Sequence, residues 1–203
     1  PSTINVNNNE LFILPEVASW SFPFLYSIKN KNFIKLLGFE KYKLVDPTYL
    51  FYNNTHYIFA GKKDDSLYRL YLFYSNENLY GKYHSHNLNP IVINPSNARM
   101  GGNIIKNNNK LYRIGQDASN QYGNGLTINL IENLSPFNYR EKEITKIKIK
   151  NKLGPHTFNI LNDNIVFDYY TEKFNIFAWR TRINRLFKLW KIKNKLKYVL
   201  LDL

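Results

Sequence analysis

The segment NIIKNNNKLYRIG, Asn103 to Gly115, decides the fold, because it consists of two short apolar runs joined by an Asn-rich turn. Asn tolerates the positive φ angles that a tight hairpin turn requires, so the segment predicts a β-hairpin. The same pattern occurs in three other places. These are TINVNNNELFIL (3–14), YLFYNNTHYIFAG (49–61) and FNILNDNIVFDY (158–169).

The four turns follow one another at steps of about 46, 54 and 55 residues. A further strand-like run comes after each of the first three hairpins: FPFLYSI, LYRLYLFYS and GLTINLIENL. A repeat of this length built only from short strands is typical of a β-propeller blade. A β-sandwich with coincidental spacing is the alternative.

Composition fits a β-rich domain, with 16% aromatic residues among 203. The absence of Cys excludes a disulfide framework, a thiolate nucleophile and a Cys-based zinc site, and it fits a reducing compartment. No apolar run approaches the roughly 20 residues that span a bilayer, and no signal-peptide pattern is present. We therefore expect a cytoplasmic or peripheral membrane location.

A propeller would bring distant polar residues together. The first strand of each blade lines the central channel and the second returns antiparallel to it, so residues before the first strand and after the second share one rim. We therefore expect a single pocket from residues that are far apart in the sequence. They are Glu16, Asp46, Arg99, Gln116, Asp117 and His156.

Carboxylates beside an arginine, a histidine and aromatic rings suit a carbohydrate ligand. In a hydrolytic site Glu16 would be the general acid. Asp46 would be the general base or a residue that tunes a pKa in the site. Arg99 would hold a carboxylate or phosphate, and His156 would donate to a hydroxyl. Structural alternatives remain open: Glu16 as a turn residue, Asp46 as a turn cap, and Arg99 paired with Asp117 as a clamp between strand ends.

Other motifs carry less chemistry. In YGKYHSHNLNPIVI, His84 and His86 could share one face and bind a metal, but no third ligand is placed by the sequence, and a connection between blades is the favoured interpretation. The chain has no Gly-rich phosphate loop with its Lys and no Gly-x-Ser-x-Gly elbow. We predict neither a metal nor a cofactor.

Several of these motifs follow one another in the order seen in a known family. They are LFILPE, VDPTYLFYNNTHYIFAG, HSHNLNP, ARMGG, GQD, YGNG and GPHTF. Residues 1–172 resemble the propeller domain at the N-terminus of plant glucosamine inositolphosphorylceramide transferases, also found in bacterial proteins. That domain is similar to the five-bladed propellers of arabinanases, levansucrases and invertases. The resemblance adds His86 and Tyr122 to the candidate substrate-binding residues.

The chain departs from the family at its start. Members of the family usually begin with a blade carrying an Ala-Asp-Pro motif, whose Asp matches the general base of the related glycosidases, whereas this sequence starts at Pro1-Ser2. We therefore predict a five-bladed-type β-propeller over residues 1–176 that lacks its first blade and retains about four. Such a truncated chain is expected to be inactive alone.

Two functions remain open. The leading one is a carbohydrate-active, glycosidase-like domain that acts in glycan or glycolipid synthesis or processing. The alternative is a non-catalytic module that binds a sugar or sugar nucleotide and accompanies a glycosyltransferase. In a version of the chain with the first blade restored, loss of turnover with retained binding in a Glu16→Gln variant would favour the first, and loss of binding alone would favour the second.

The net charge of +13 is largely a property of the C-terminal segment. From Trp179 to Leu203 eight basic residues face a single acid, so we do not predict a nucleic-acid groove. Apolar residues there recur at helical spacing, which predicts a basic amphipathic helix over residues 177–203. The helix could lie on an anionic membrane surface through residues 179–197, or pack on the propeller or a glycosyltransferase partner.

Overall fold

The computed structural model describes residues 2–6, 9–13, 22–161 and 164–170, and every regular element within these ranges is a β-strand. This confirms the all-β prediction. The chain divides into two units, residues 1–170 and 171–203, and the described residues all belong to the first. Glu16 and the helix predicted for residues 177–203 lie outside the described residues. Nowhere in the described ranges is there a helix long and apolar enough to cross a membrane.

Sheet I is a four-stranded antiparallel meander in which each strand pairs with the next along the chain. Its edge strand ends at Lys35. The next few residues include Leu36 and Phe39, whose side chains are buried in the core. The strands of sheet I are β1 (Ser2–Val6), β2 (Asn9–Ile13), β3 (Phe24–Ser27) and β4 (Asn32–Lys35).

Sheet II has five strands in the order β5-β6-β7-β8, and the short strand β9 pairs separately with β7. The strands are β5 (Leu44–Tyr52), β6 (Thr55–Lys62), β7 (Arg69–Ser75), β8 (His84–Ser85) and β9 (Val92–Ile93). Aromatic and β-branched residues dominate the long strands, as expected for surfaces that are buried on the pleat.

Sheet III repeats this plan in the order β10-β12-β13-β14, with β11 also paired to β12. The strands are β10 (Arg99–Met100), β11 (Ile105–Asn107), β12 (Lys110–Gln116), β13 (Leu126–Leu134) and β14 (Tyr139–Ile147). Sheet IV is a two-stranded hairpin of β15 (Phe158–Leu161) and β16 (Asn164–Phe167).

The four predicted hairpins are confirmed as β1–β2, β5–β6, β11–β12 and β15–β16. In sheet II the turn residues Asn53 and Asn54 have φ angles of 47° and 60°. Asn108 and Asn109 of sheet III adopt 47° and 59°. Two consecutive positive φ angles belong to the type I′ turn, whose twist matches that of the flanking strands.

Sheet II lies between sheets I and III, and β6 shows why. Successive side chains of a strand point to opposite faces. Ile58 and Ala60 of β6 join one apolar cluster with residues of sheet I, including Leu11 and Leu25. Tyr57 and Phe59 join a second cluster with residues of sheet III. Members of this second cluster include Met100, Leu111 and Ile131.

Sheet IV is joined to sheet III through backbone atoms. The Phe158 N–H donates to the Gly101 carbonyl at 2.7 Å, and the Asn103 N–H donates to the Asn159 side-chain oxygen at 3.0 Å. A Cβ atom added to Gly102 would lie 2.0 Å from the Phe158 carbonyl oxygen. Only glycine permits this approach, which places the start of β15 beside the start of the third hairpin.

Candidate functional site

Arg99 and Gln116 lie at opposite ends of the third hairpin in sequence and face each other in space. Arg99 of β10 is the cross-strand partner of Gln116 at the end of β12. The antiparallel return of the strand therefore brings together two of the residues that the sequence predicted for one rim. Asp117 follows directly, but its side chain serves another purpose, described below.

An ion pair connects this end of sheet III with sheet II. The Arg99 Nε–H donates to Asp46 Oδ2 at 2.7 Å. The two side chains are 16% and 25% exposed, so water reaches both but surrounds neither. A charge-assisted hydrogen bond of this length is stronger than one between neutral groups.

Asp46 reaches Arg99 because β5 is bulged at this point. Val45 pairs with Gly61 and Thr48 pairs with Phe59, which leaves Asp46 and Pro47 opposite one residue of β6. The φ angle of Asp46 is 49°, a left-handed value that Asp adopts more readily than most residues. Bulges re-aim side chains, and this one turns the Asp46 carboxylate toward Arg99.

Tyr122 extends the site across the guanidinium group. The Arg99 guanidinium carbon lies 5.3 Å from the centroid of the Tyr122 ring, within cation–π range. The same ring meets the His156 imidazole edge to face, with centroids 5.2 Å apart. Burial raises the pKa of the Tyr122 hydroxyl, which therefore stays protonated at neutral pH. The residue is half exposed, so part of the ring remains open to a ligand.

His156 is held on both ring nitrogens. Its Nδ1 pairs with Asp168, and its Nε2 lies 2.7 Å from the Tyr170 hydroxyl. Asp168 and Tyr170 therefore contact the imidazole from its two nitrogen-bearing sides.

Asp168 also accepts hydrogen bonds from the backbone N–H groups of His156 and Thr157 and from the Thr157 hydroxyl. Burial raises the pKa of the Asp168 carboxyl, but these hydrogen bonds outweigh it and hold the pKa below its ordinary value. Asp168 therefore stays charged and fixes the imidazole.

A small cavity of about 70 Å³ lies where three sheets meet, and we call it the Gln116 cavity. The Gln116 side chain forms part of its wall and is 4% exposed. Its Nε2 donates to the Met100 carbonyl at 2.7 Å, while its Oε1 is buried without a hydrogen-bond partner. The other lining residues are Asp46, Pro47, Thr48, Met100, Gly101, Gly102, Asn103, Thr157 and Asn159.

A larger cavity of about 350 Å³ includes Arg99 in its wall, and we call it the Arg99 cavity. Arg99 and Tyr122 form one wall, and the loop of residues 63–68 between β6 and β7 forms the other. This volume falls in the range typical of small-molecule sites. The Asp46–Arg99 ion pair therefore joins one wall residue of the Gln116 cavity to one wall residue of the Arg99 cavity.

Asp117 stabilises a loop. Its Oδ1 accepts from the backbone N–H and hydroxyl of Ser119, and its Oδ2 accepts from Asn124. Burial raises the pKa of Asp117, but these hydrogen bonds lower it below the ordinary value. The alternative in which Arg99 and Asp117 clamp the strand ends is wrong, since the bulge at Asp46 supplies the carboxylate for Arg99.

His86 is placed between sheets II and III and is not among the residues that line either cavity. Its Nδ1 accepts from the Leu88 N–H, and its Nε2 therefore donates to the Ser135 carbonyl at 3.0 Å. Burial lowers the pKa of its imidazole more than the hydrogen bond to Ser135 raises it. His86 is thus a neutral link between the sheets. Within the described ranges no group of three or more His, Cys, Asp or Glu side chains is placed to hold a metal ion.

The structure therefore joins Asp46, Arg99, Tyr122 and His156 through direct contacts, with Gln116 beside them. Glu16 lies outside the described residues. Sequence reasoning did not select Asp168 and Tyr170, although Asp168 follows the second strand of its hairpin, the position from which it selected Glu16 and Asp117. Thr157 and Asn159 were missed because nothing in the sequence shows that β15 approaches Gly101.

Fold and site together define an all-β domain whose polar site is assembled from successive antiparallel sheets. The family described as "Glucosamine inositolphosphorylceramide transferase 1, N-terminal" matches residues 4–165. The match covers well over half of the chain, so the chain belongs to this family. This confirms the resemblance seen in its motifs.

One relative is glucosamine inositolphosphorylceramide transferase 1 of Arabidopsis thaliana. It is 29% identical over 165 residues, which cover 75% of this chain and 21% of the relative. The chain thus spans about a fifth of that relative's length.

Proposed function

We propose that this chain is a carbohydrate-binding domain that acts in the synthesis or processing of a glycan or glycolipid. Its ligand is a sugar or sugar-containing molecule held at the Asp46–Arg99 pair. The similarity to glucosamine inositolphosphorylceramide transferase 1 of Arabidopsis thaliana supports this setting. The observation that carries the proposal is the continuous contact from Asp46 through Arg99 and Tyr122 to His156, residues that include wall residues of two cavities.

The chemistry of these groups suits a sugar. Carboxylate and amide oxygens accept from hydroxyl groups, and the guanidinium donates to hydroxyls or to an anionic substituent. The half-exposed Tyr122 ring offers an apolar face against which the C–H groups of a sugar ring can pack. The Arg99 cavity has room for one ring, while the Gln116 cavity admits only a smaller group.

We propose a β-propeller of the five-bladed type as the architecture behind this site. The order of the sheets supports it: four antiparallel sheets follow one another along the chain, and sheet II packs with sheet I on one face and sheet III on the other. The Gln116 cavity is lined from three consecutive sheets, as a central channel would be. An experimental structure in which the sheets did not share one axis would refute it.

Binding is tested by a matched set of substitutions. A glycan array identifies a ligand for the wild-type chain, and calorimetry then compares Arg99→Gln with Arg140→Gln. Arg140 pairs with Glu132 at an exposed position, so its loss should leave affinity unchanged. Loss of charge-assisted hydrogen bonds at Arg99 should weaken binding about ten- to a hundredfold. Equal affinities for the two variants would refute the proposed site.

A glycosidase-like activity is the second candidate, favoured by the Asp46 carboxylate in the wall of the Gln116 cavity. An inverting reaction needs a second carboxyl group roughly 6.5–9.5 Å away, and Glu16 is the residue proposed for it. In Glu16→Gln and Asp46→Asn variants of a longer chain that includes an Ala-Asp-Pro blade, lost turnover with retained binding would favour catalysis. Loss of binding alone would favour the non-catalytic module.

Two partners belong to this proposal. A glycosyltransferase is one, as the name of the relative suggests. An anionic membrane surface is the other, through basic residues 179–197. Sedimentation with vesicles of phosphatidylserine and phosphatidylcholine tests the second, since electrostatic binding should fall steeply as salt rises. A chain ending at residue 176 serves as the control and should not sediment.

A further inference from the structure

The Arg99 cavity has a second tyrosine in its wall besides Tyr122. Tyr68 is the last residue of the loop that forms the other wall of this cavity. Tyr68 is 42% exposed and Tyr122 is 50% exposed. Tyr68 directly precedes β7 of sheet II, whereas Tyr122 lies between β12 and β13 of sheet III. Two half-exposed aromatic rings from different sheets thus border one cavity.

Tyr68 is held in place by its backbone and by a neighbouring guanidinium group. Its N–H donates to the Asp65 carbonyl at 3.1 Å, and its carbonyl accepts from the Asn94 N–H at 2.9 Å. The Arg69 guanidinium carbon lies 5.4 Å from the centroid of the Tyr68 ring, within cation–π range. The Tyr68 ring therefore has a defined position although much of its surface is open to solvent.

The Asp65 carboxylate stabilises the loop that carries Tyr68. Its Oδ2 accepts from the Tyr71 hydroxyl at 2.6 Å and from an Arg69 terminal nitrogen at 3.4 Å. The loop also packs closely on β6, since a Cβ atom added to Gly61 would lie 2.6 Å from the Ser66 Cβ. This wall of the cavity is therefore preformed, which lowers the entropy cost of binding a ligand against it.

Arg99 supplies hydrogen-bond donors to the same cavity. Its Nε–H is taken by Asp46. Within the described ranges no group accepts a hydrogen bond from its two terminal nitrogens, and neither nitrogen is one of the buried unpaired atoms there. These N–H groups are therefore left for water or a ligand. Their fork can donate to neighbouring oxygens, such as adjacent hydroxyl groups of a sugar.

An aromatic wall and a guanidinium wall suit different parts of a sugar ring. The C–H groups on one face of the ring pack against an aromatic side chain, and the hydroxyl groups accept from the guanidinium. An open-chain polyol offers the same hydroxyl groups but has no rigid face to pack. The cavity volume of about 350 Å³ is in the range of small-molecule sites.

We propose that Tyr68 is a ligand-binding residue against which one face of the bound sugar ring packs, while Arg99 donates to hydroxyl groups of the same ring. The loop of residues 63–68 is then a recognition loop, and its ligand is a cyclic sugar and not an open-chain polyol. This inference rests on the proposed carbohydrate-binding function and adds a residue and a ligand class to it.

The test uses the full 203-residue chain and a panel of methyl hexopyranosides and methyl pentopyranosides. Calorimetry identifies the tightest-binding glycoside and compares it with the alditol of the same sugar. The variants are Tyr68→Ala, which removes the ring, and Tyr68→Phe, which keeps it. Tyr80→Ala is the matched control, because Tyr80 is 40% exposed and does not line the Arg99 cavity.

Tyr68→Ala should bind the glycoside about tenfold more weakly than the wild type, because the packing of the sugar on the aromatic ring is lost. Tyr68→Phe and Tyr80→Ala should bind it as the wild type does, and the alditol should bind more weakly than the glycoside. A second measurement needs no alanine variant. Intermolecular nuclear Overhauser effects should connect the Tyr68 ring protons of the wild type with C–H protons on one face of the sugar.

Three results would overturn this inference alone: wild-type affinity in folded Tyr68→Ala, an equal loss in Tyr80→Ala, or an alditol that binds as tightly as the glycoside. If Tyr68→Ala does not fold, absence of the Overhauser effects from Tyr68 to the bound glycoside has the same force. Failure of every glycoside to bind the wild type would instead overturn the proposed function, and this inference with it.

Discussion

Arg113 has the largest side chain that is fully buried in the described part of the chain. Its Nε and one terminal nitrogen donate to the two Glu141 oxygens at 2.7 and 2.6 Å, and the Tyr139 hydroxyl donates to Glu141 at 2.5 Å. Burial alone would lower the pKa of Arg113, but the charge and hydrogen bonds of Glu141 raise it. Arg113 is therefore a buried charged group beside the apolar contact between sheets II and III.

Arg113→Met should destabilise the domain by about 3–5 kcal/mol, because it leaves the Glu141 carboxylate buried and unpaired. The double variant Arg113→Met/Glu141→Leu should recover most of that loss. Arg140→Met is the matched control: its pair with Glu132 is exposed, and its loss should cost less than about 1 kcal/mol. Urea denaturation measures all three, and equal losses for the two single variants would contradict the prediction.

Asp168 is expected to make the stability of the domain depend on pH. Its pKa in the folded chain lies below the ordinary value of 3.8, so its contribution to stability is present above that pH and is lost as the pH falls. Asp168→Asn should lower the melting temperature at pH 6 and flatten its decline between about pH 5 and pH 3. A decline as steep as that of the wild type would exclude Asp168 as a source of acid sensitivity.

The sequence predicted the residues of the site better than their partners. Asp46, Arg99, Gln116 and His156 were expected on one rim because hairpin ends meet. Arg99 pairs with Asp46 because β5 is bulged and Asp46 has a φ angle of 49°. No local sequence pattern predicts this bulge. His86 shows the opposite outcome. Its His-x-His motif resembled a set of metal ligands, whereas in the structure its ring links sheets II and III.

The hairpin is the element that the sequence predicts most fully in this chain. Asn53-Asn54 and Asn108-Asn109 adopt positive φ angles that most other residues avoid. The turn position and the register of the paired strands can therefore be predicted from a few residues. The contact of β15 with Gly101 and Gly102 could not be predicted in the same way. This contact joins residues more than 50 positions apart. Two consecutive glycines do not by themselves predict which strand will pack against them.

Gly102→Ala tests that contact. The added methyl group would meet the Phe158 carbonyl oxygen, which belongs to backbone and cannot swing aside, and φ at this position is +154°. We expect a loss of at least about 2 kcal/mol and weaker glycan binding, because Thr157 and Asn159 line the Gln116 cavity. Gly123→Ala is the control, since its φ is also positive but the nearest atom lies 4.0 Å away. Similar losses for the two variants would show that φ, not the contact, matters.

At the scale of the molecule, sheets I, II and III are stacked through two apolar clusters, and polar links fix their relation. His86 is one such link, from the segment after β8 to the Ser135 carbonyl before β14. Its pKa lies below the ordinary 6.5 because burial disfavours the charged ring. The unfolded chain therefore binds a proton that the folded chain does not, and stability falls as the pH drops below 6.5.

His86→Gln should make stability less dependent on pH between about 7 and 5, at the cost of some stability at pH 7. His84→Gln is a control from the same segment, because His84 is exposed. Melting temperatures across this range measure the effect. An unchanged pH dependence in His86→Gln would show that another group, such as His56, whose pKa burial also lowers, is responsible.

Each sheet consists of consecutive residues, so sheets I to III can form in turn while the chain is still being synthesised. Thr157, Asn159 and Asp168 leave the ribosome after all three. A nascent chain stalled at residue 150 would already contain Asp46, Arg99 and Tyr122, yet would lack one wall of the Gln116 cavity and His156 itself, together with its partners Asp168 and Tyr170. Under the proposed binding function, the site is therefore completed in a single late step of translation, when the last hairpin closes over Gly102.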